Sequence, residues 1–214
     1  TRLGRLQLLI SQQNGGLYIK DNDMNDKYKM TISRLTVDKL GVKLYDRVSA
    51  VIAELIANSY DADATEVEVK APMDALLATK HQGNLVDKGF TIEVKDNGIG
   101  MTPDEVNRFY LIVGAERRDE PNRGEESKRF GRKVMGRKGV GKLAPFGVCQ
   151  KIEILTSGGE ICFGKNEQGI ETRGYLTAHL ILERGEILSE TDEAYYPTPG
   201  PLDGIVRQMS GTVL

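Results

Sequence analysis

The chain has 214 residues, enough for one domain with a real core and room for an additional arm. Its hydrophobic share of 39%, charged share of 28% and net charge of −2 are those of an ordinary soluble globular protein and exclude a global basic field of the kind that holds nucleic acid. No apolar run approaches the ~18 residues of a membrane-spanning helix. The two cysteines, Cys149 and Cys162, have neither metal-ligand spacing nor a disulfide framework, which favours a cytoplasmic location. With only His81 and His179 present, a histidine-based triad is disfavoured, and both read as structural or surface residues. No secretory signal is recognisable. The chain does not begin with Met, as expected of a piece of a longer polypeptide.

Residues 1–30 contain an apolar run, Leu6 to Ile10, a turn signal at Asn14-Gly15-Gly16 and a second apolar stretch to Lys20. They read as an accessory hairpin or as an arm that crosses to a partner subunit. The main domain is expected over 31–214.

From Tyr45 the chain reads as a helix, with Val48, Val51, Ile52, Leu55 and Ile56 at helical spacing. Glu54, Asn58 and Asp61 fall on the opposite face, flanked by Ala50, Ala53 and Ala57. A carboxylate one turn from a carboxamide can hold a water beside a hard cation, the amide oxygen as ligand and the acid as proton acceptor. A solvated outer face would show the same pattern.

Asp61 to Ala64 ends the helix, and Thr65 to Lys70 alternates as a strand. Pro72 to Lys88 reads as a connection with a helical turn at Asp74–Thr79. Gly89 to Lys95 is a second strand that runs into Asp96-Asn97-Gly98-Ile99-Gly100-Met101. The two glycines of this D-x-G-x-G turn permit close approach of a flat ligand. A buried carboxylate there requires a donor, for which an adenine amino group is suited, and Met101 can floor the base. A plain hairpin turn is the alternative. Thr102-Pro103-Asp104-Glu105 then has the residues of a helix start.

Ala115 to Lys138 holds nine Lys or Arg against five acids, with interspersed glycines and almost no apolar periodicity. It reads as a solvated loop or as a mobile lid closing over a polyphosphate. It ends in Gly136-Arg-Lys138-Gly139-Val140-Gly141-Lys142, whose backbone amides could cradle an anion before a helix in which Pro145 falls in the first turn. A P-loop is excluded because Leu143 stands where Ser or Thr should bind Mg2+, and no strand precedes Gly136. Gln150 to Thr156 reads as a strand, Ser157-Gly158-Gly159 as a turn and Glu160 to Gly164 as the return strand. Thr172 to Glu183 is a further strand, 189–203 a proline-containing loop, and Met209 to Leu214 a last strand.

Taken in order, these motifs resemble the GHKL ATPase superfamily of gyrase B subunits, ninety-kilodalton heat-shock chaperones, histidine kinases and MutL-type proteins. Glu54 to Ala62 matches its N box, Asp96 to Met101 its adenine box, Gly136 to Lys142 its phosphate box and Gly211-Thr212 its closing strand. The phrase Ala57 to Val69 is closest to chaperone, MutL and MORC-type sequences. The resemblance implies an α+β Bergerat fold: a two-layer sandwich with a mixed, mostly antiparallel sheet, helices on one face and a mobile ATP lid over about 115–138. It implies Glu54 as general base, Asn58 as Mg2+ ligand, Asp96 as acceptor of the adenine amino hydrogen, and Gly98, Gly100 and Met101 as the base pocket. Gly136, Gly139 and Gly141 would cradle phosphate, with Asp61, Ala62, Lys138 and Val140 beside the nucleotide and Thr212 supporting Asp96. A phosphate contact for Lys142 is inferred from its charge alone. The leading expectation is a slow Mg2+-dependent ATPase coupled to lid closure and dimerisation, with a protein client or DNA as partner and no membrane. The alternatives are a non-hydrolysing nucleotide sensor and a histidine-kinase-type catalytic domain.

Overall fold

The computed structural model describes residues 47–72, 78–81, 84–87, 89–112, 125–136, 141–187 and 195–214. The 1–30 segment lies outside them. The first described element is helix α1, Val48–Asp61. It is rich in β-branched residues and has no side-chain N-cap, so packing rather than intrinsic propensity holds it. Val51 and Leu55, one turn apart, are buried against Val94 and Ala144.

The strands follow as β1 (Val67–Lys70), β2 (Ala78–His81), β3 (Asn84–Asp87), β4 (Glu93–Asp96), β5 (Lys151–Lys165), β6 (Glu171–Glu183), β7 (Thr198–Pro199), β8 (Val206–Arg207) and β9 (Gly211–Val213). The main sheet runs β1-β4-β9-β5-β6-β7, with β8 also on β6. Every pairing among the described strands is antiparallel. The chain has the expected α+β architecture: an antiparallel sheet with a few helices. Strand alternation explains the layering. Register places Val94 and Asp96 on one face with Thr212, Thr156, Ile154 and Leu180. That face carries the larger core, in which Val106, Leu111 and Phe146 meet Ile152, Ile154, Leu180 and Leu182.

Two expectations of the strand pattern are corrected. Ala78 and Thr79, expected in a helical turn, lie in β2, which pairs with β3; residues 73–77 are outside the described set. His81 pairs with Asn84, so two residues separate the paired ends of the strands in sequence. The second correction concerns Ser157-Gly158-Gly159. The chain does not turn there; β5 continues for 15 residues and only shifts register between Gly158 and Ile161. A Cβ on Gly158 would lie 2.5 Å from the Ile99 carbonyl oxygen, and one on Gly159 would lie 2.3 Å from Thr102 Cγ2. These glycines admit a crossing chain, the Ile99–Thr102 turn. The reversal comes at Asn166, whose side chain accepts from the Gln168 and Ile170 amides.

Thr102 starts the short helix α2 (Pro103–Glu105) through a reciprocal capping box with Glu105, as its sequence predicts. The helix widens into a π turn, Val106–Tyr110. After the phosphate box the chain forms a 3-10 helix, Gly141–Gly147, with Pro145 inside it, where the sequence pattern predicts a helix with Pro145 in its first turn. A last short helix, α3 (Arg184–Ile187), follows β6. His179 is a core histidine: its Nδ1 accepts from Leu202 N, so Nε2 carries the proton and donates to Glu153 at 2.7 Å.

β9, from the end of the chain, lies between β4 and β5. Its first residue, Gly211, has φ +133°, and a Cβ there would sit 2.2 Å from the Asp96 carbonyl oxygen. Gly211→Ala is therefore expected to lower unfolding free energy by more than about 1 kcal/mol in urea titration. An unchanged midpoint would show that β9 tolerates displacement.

Candidate active site

Asp96 is the last residue of β4, on the core-facing side. Its Oδ1 accepts from Gly98 N at 2.9 Å and from Thr212 N at 3.2 Å, and its Oδ2 accepts from Ser59 Oγ at 3.1 Å. One carboxylate thus joins its own turn, the closing strand and α1. Ser59 also donates to Leu55 O at 3.1 Å, so its hydroxyl is shared between the helix backbone and the acid. Burial pushes the Asp96 carboxyl above its ordinary 3.8, outweighing the opposite pull of Gly98, Ser59 and Thr212.

The rest of the D-x-G-x-G turn is fixed to the end of α1. Ile99 N donates to Ala62 O at 2.8 Å, and a Cβ on Gly98 would lie 2.6 Å from that same oxygen. Asn97 Oδ1 accepts from the amides of Thr65 and Glu66. Gly100 has φ +62° and presses on β5, where a Cβ would fall 1.9 Å from Ser157 O. Met101 N donates to Thr156 Oγ1 at 3.0 Å, which is also 3.0 Å from Thr212 Oγ1. The Met101 side chain packs on the larger core, half-buried. Thr212 therefore supports Asp96 directly through its backbone, and its hydroxyl belongs to the Thr156 pair.

On α1, Asn58 is exposed and Glu54, one turn earlier, is half-buried. Gly141 lies against Glu54: a Cβ on it would fall 1.6 Å from Glu54 Oε1. Only glycine can bring the backbone so close to this acid. Gly136 lies two α1 turns away, at Asp61, whose carboxylate accepts from Met135 N at 2.7 Å and Gly136 N at 2.9 Å. Both described glycines of the phosphate box thus meet the polar side of α1. Asp61, expected beside the nucleotide, instead binds the chain entering that box and is buried rather than solvent-facing. Lys142 also differs from its expectation. Its ammonium donates to Phe109 O at 2.6 Å and to Ile112 O, closing the end of the π turn, where helix-end carbonyls attract a cation. Lys138, Gly139 and Val140 lie outside the described residues, as does the 115–124 part of the basic segment.

Ser59 and Thr156 escaped the sequence reading, although each carried a signal. Ser59 continues the buried Val51–Leu55 row, and Thr156 continues the Ile152–Ile154 row. A hydroxyl at a position whose periodicity leads into the core needs a partner there.

The profile of the family described as histidine kinase-, DNA gyrase B- and HSP90-like ATPase matches residues 45–197, which contain α1, the Asp96 turn and the phosphate box. The chain belongs to this family. Among curated proteins it is 32% identical over 129 residues to "Putative type II restriction enzyme HgiDII" of Herpetosiphon aurantiacus, covering 60% of this chain and 18% of that protein. It is 30% identical over 132 residues to chaperone protein HtpG of Mycolicibacterium gilvum, covering 58% of this chain and 20% of that one. HtpG of Geobacter metallireducens matches at 27% over 195 residues, 77% of this chain and 28% of the relative. The chain thus spans between 18% and 28% of these relatives' length.

The raised Asp96 pKa carries a sign. A folded-state pKa above the unfolded 3.8 means that ionised Asp96 costs stability, a cost absent below 3.8 that grows as pH rises through the folded pKa. In Asp96→Asn, Oδ1 can keep the Gly98 and Thr212 bonds, and Nδ2 can donate to Ser59 Oγ while Ser59 donates to Leu55 O. Thermal denaturation is expected to find the variant at least as stable as wild type at pH 7, with the gap closing toward pH 3.8. A variant destabilised at pH 7 would refute this account of the acid.

Proposed function

We propose that this chain is an Mg2+-dependent ATP-binding and ATP-hydrolysing module of a larger protein. The carrying observation is the Asp96 carboxylate, half-buried at the junction of α1, its own turn and β9 and kept there despite its desolvation cost. A protein has little structural reason to keep such an acid where an amide would satisfy the same neighbours. A ligand amino group donating to it, as adenine does, gives that reason.

The phosphate end then falls along α1. Backbone amides of the glycine box would face the phosphates, as glycine-rich loops do for anions. Asn58, exposed next to Ser59, offers an amide oxygen for Mg2+, an ion that retains several waters and takes few protein ligands beside substrate phosphates. Bound there, Mg2+ would neutralise phosphate charge. Glu54, one turn away and against Gly141, is placed to accept a proton from water as its oxygen bonds to the γ-phosphorus. The bond from that phosphorus to the bridging oxygen breaks, leaving ADP and inorganic phosphate. Family membership supports ATP as the nucleotide. Lid closure over the site, nucleotide-dependent dimerisation, a protein client or DNA as partner and a cytoplasmic location complete the proposal. Relatives described as a chaperone and as a restriction enzyme are compatible with either partner class.

Glu54→Gln is the sharper test, because truncation to Ala would open a gap beside Gly141. Calorimetric ATP affinity is expected to stay near wild type, while phosphate release falls by about 10²–10⁴-fold. Wild-type-like turnover would remove Glu54 as the base. Wild-type protein that binds ATP with Mg2+ but releases no phosphate would instead be a non-hydrolysing sensor.

A further inference from the structure

The residues just past α1 do more than end a helix. Asp63 is fully buried with φ +61°, the one described non-glycine residue at positive φ. A side chain stays in that region only when its surroundings fix it there. Its carboxylate accepts from three groups of a distant stretch: Ser127 Oγ at 2.5 Å, Arg129 N at 2.6 Å and Phe130 N at 3.2 Å. Burial alone would push this carboxyl up. The three donors and the nearby Arg132 guanidinium outweigh it, so its pKa is lowered and the group is ionised at neutral pH.

The same stretch reaches back to α1. Arg132 Nη1 donates to Ala64 O at 2.7 Å and Tyr60 O at 3.4 Å, and its guanidinium carbon is 4.8 Å from the ring centres of both Tyr60 and Phe130. A cation on the last carbonyls of a helix is favourable in its own right. Ser127 Oγ also accepts from Arg132 N, which joins the two halves of the contact. Three residues beyond Arg132, Met135 and Gly136 reach the Asp61 carboxylate, and Gly136 opens the phosphate box. Part of the basic charge that reads as a free lid is therefore committed to holding this stretch on α1.

We propose that Asp63, with Arg132, is a positioning residue that latches 125–136 onto the end of α1 and so sets where the phosphate box begins. The proposal rests on the reading of this cleft as an ATP site. Although Ile99 N is bonded to the neighbouring Ala62 O, the Asp63 carboxylate bonds only to 127–130 among its described partners. The Asp96 carboxylate bonds instead to Ser59, Gly98 and Thr212, so the latch acts first on the phosphate end. It thereby sets selectivity for ATP over adenosine rather than adenine recognition.

Asp63→Gly is the diagnostic variant, since glycine accepts φ +61° without strain and only the carboxylate is lost. ATP affinity with Mg2+ is expected to fall about tenfold or more, the cost of losing charged hydrogen bonds, while adenosine affinity changes less than about twofold. Asp63→Asn, which keeps one acceptor, should recover part of the ATP affinity. Limited trypsin digestion without nucleotide, mapped by mass spectrometry, should cut faster after Arg129 and Arg132 in Asp63→Gly than in wild type. Unchanged ATP affinity in a folded Asp63→Gly, beside wild type that binds ATP, overturns the latch alone. An equal loss of adenosine and ATP affinity also overturns it, by showing a general structural role. Wild type that binds neither nucleotide overturns the site reading on which the latch rests.

Discussion

One half-buried carboxylate ties this structure together. Asp96 ends β4, and its two oxygens connect the helix, the turn and the closing strand through Ser59, Gly98 and Thr212. Each bond to a charged group is worth about 1.5–3 kcal/mol, and a buried acid without them would cost more than they return. The elements it joins are the ones that the proposed nucleotide site would bridge. Under the proposed function, recognition and architecture share a single side chain, which accounts for an acid held in an environment that raises its pKa. The chain accepts a local cost in stability in order to present an acceptor, a trade common at functional sites.

Around that centre, close backbone approach does what larger side chains would prevent. Gly100 presses on Ser157, Gly158 on Ile99, and Gly141 on Glu54. Most glycines of the three motifs mark places where one segment crosses another, and the crossings fold the motifs onto each other. The phosphate box is bracketed in the same way, by Asp61 at one end and Glu54 at the other, two turns apart along α1.

Much of this was legible in the residue pattern because it followed from local periodicity. The buried Val51 and Leu55 of the α1 stripe and the Thr102 capping box appear where the pattern puts them. Ile56 of that stripe is exposed, however, and the strands expected over 65–70 and 89–95 begin only at Val67 and Glu93. The ordered motifs led to the family, and the family profile agrees. What failed was non-local. Gly158-Gly159 has the composition of a turn, and only the crossing of Ile99–Thr102, more than fifty residues earlier in the chain, reveals the bulge. Charge alone points Lys142 at phosphate, yet charge does not give direction, and its ammonium lies on carbonyls at the end of the π turn. The Asp63 contacts to 127–130 could not be read at all, because a span of over sixty residues separates the partners. Asp96 and Thr212 are just as distant, but each sat in a recognisable motif.

The place of β9 has a consequence for how the protein is made. Its residues 211–213 leave the ribosome last among those described, yet they fill the middle of the sheet, between β4 and β5. Until they arrive, β1 and β4 have no hydrogen-bonded link to the β5–β6 ribbon, and both flanks expose unpaired edges. A nascent chain is thus two half-sheets awaiting a keystone. Synthesis must pass β9 before Asp96 acquires the Thr212 amide, so the proposed base pocket is completed only once this whole region has been translated.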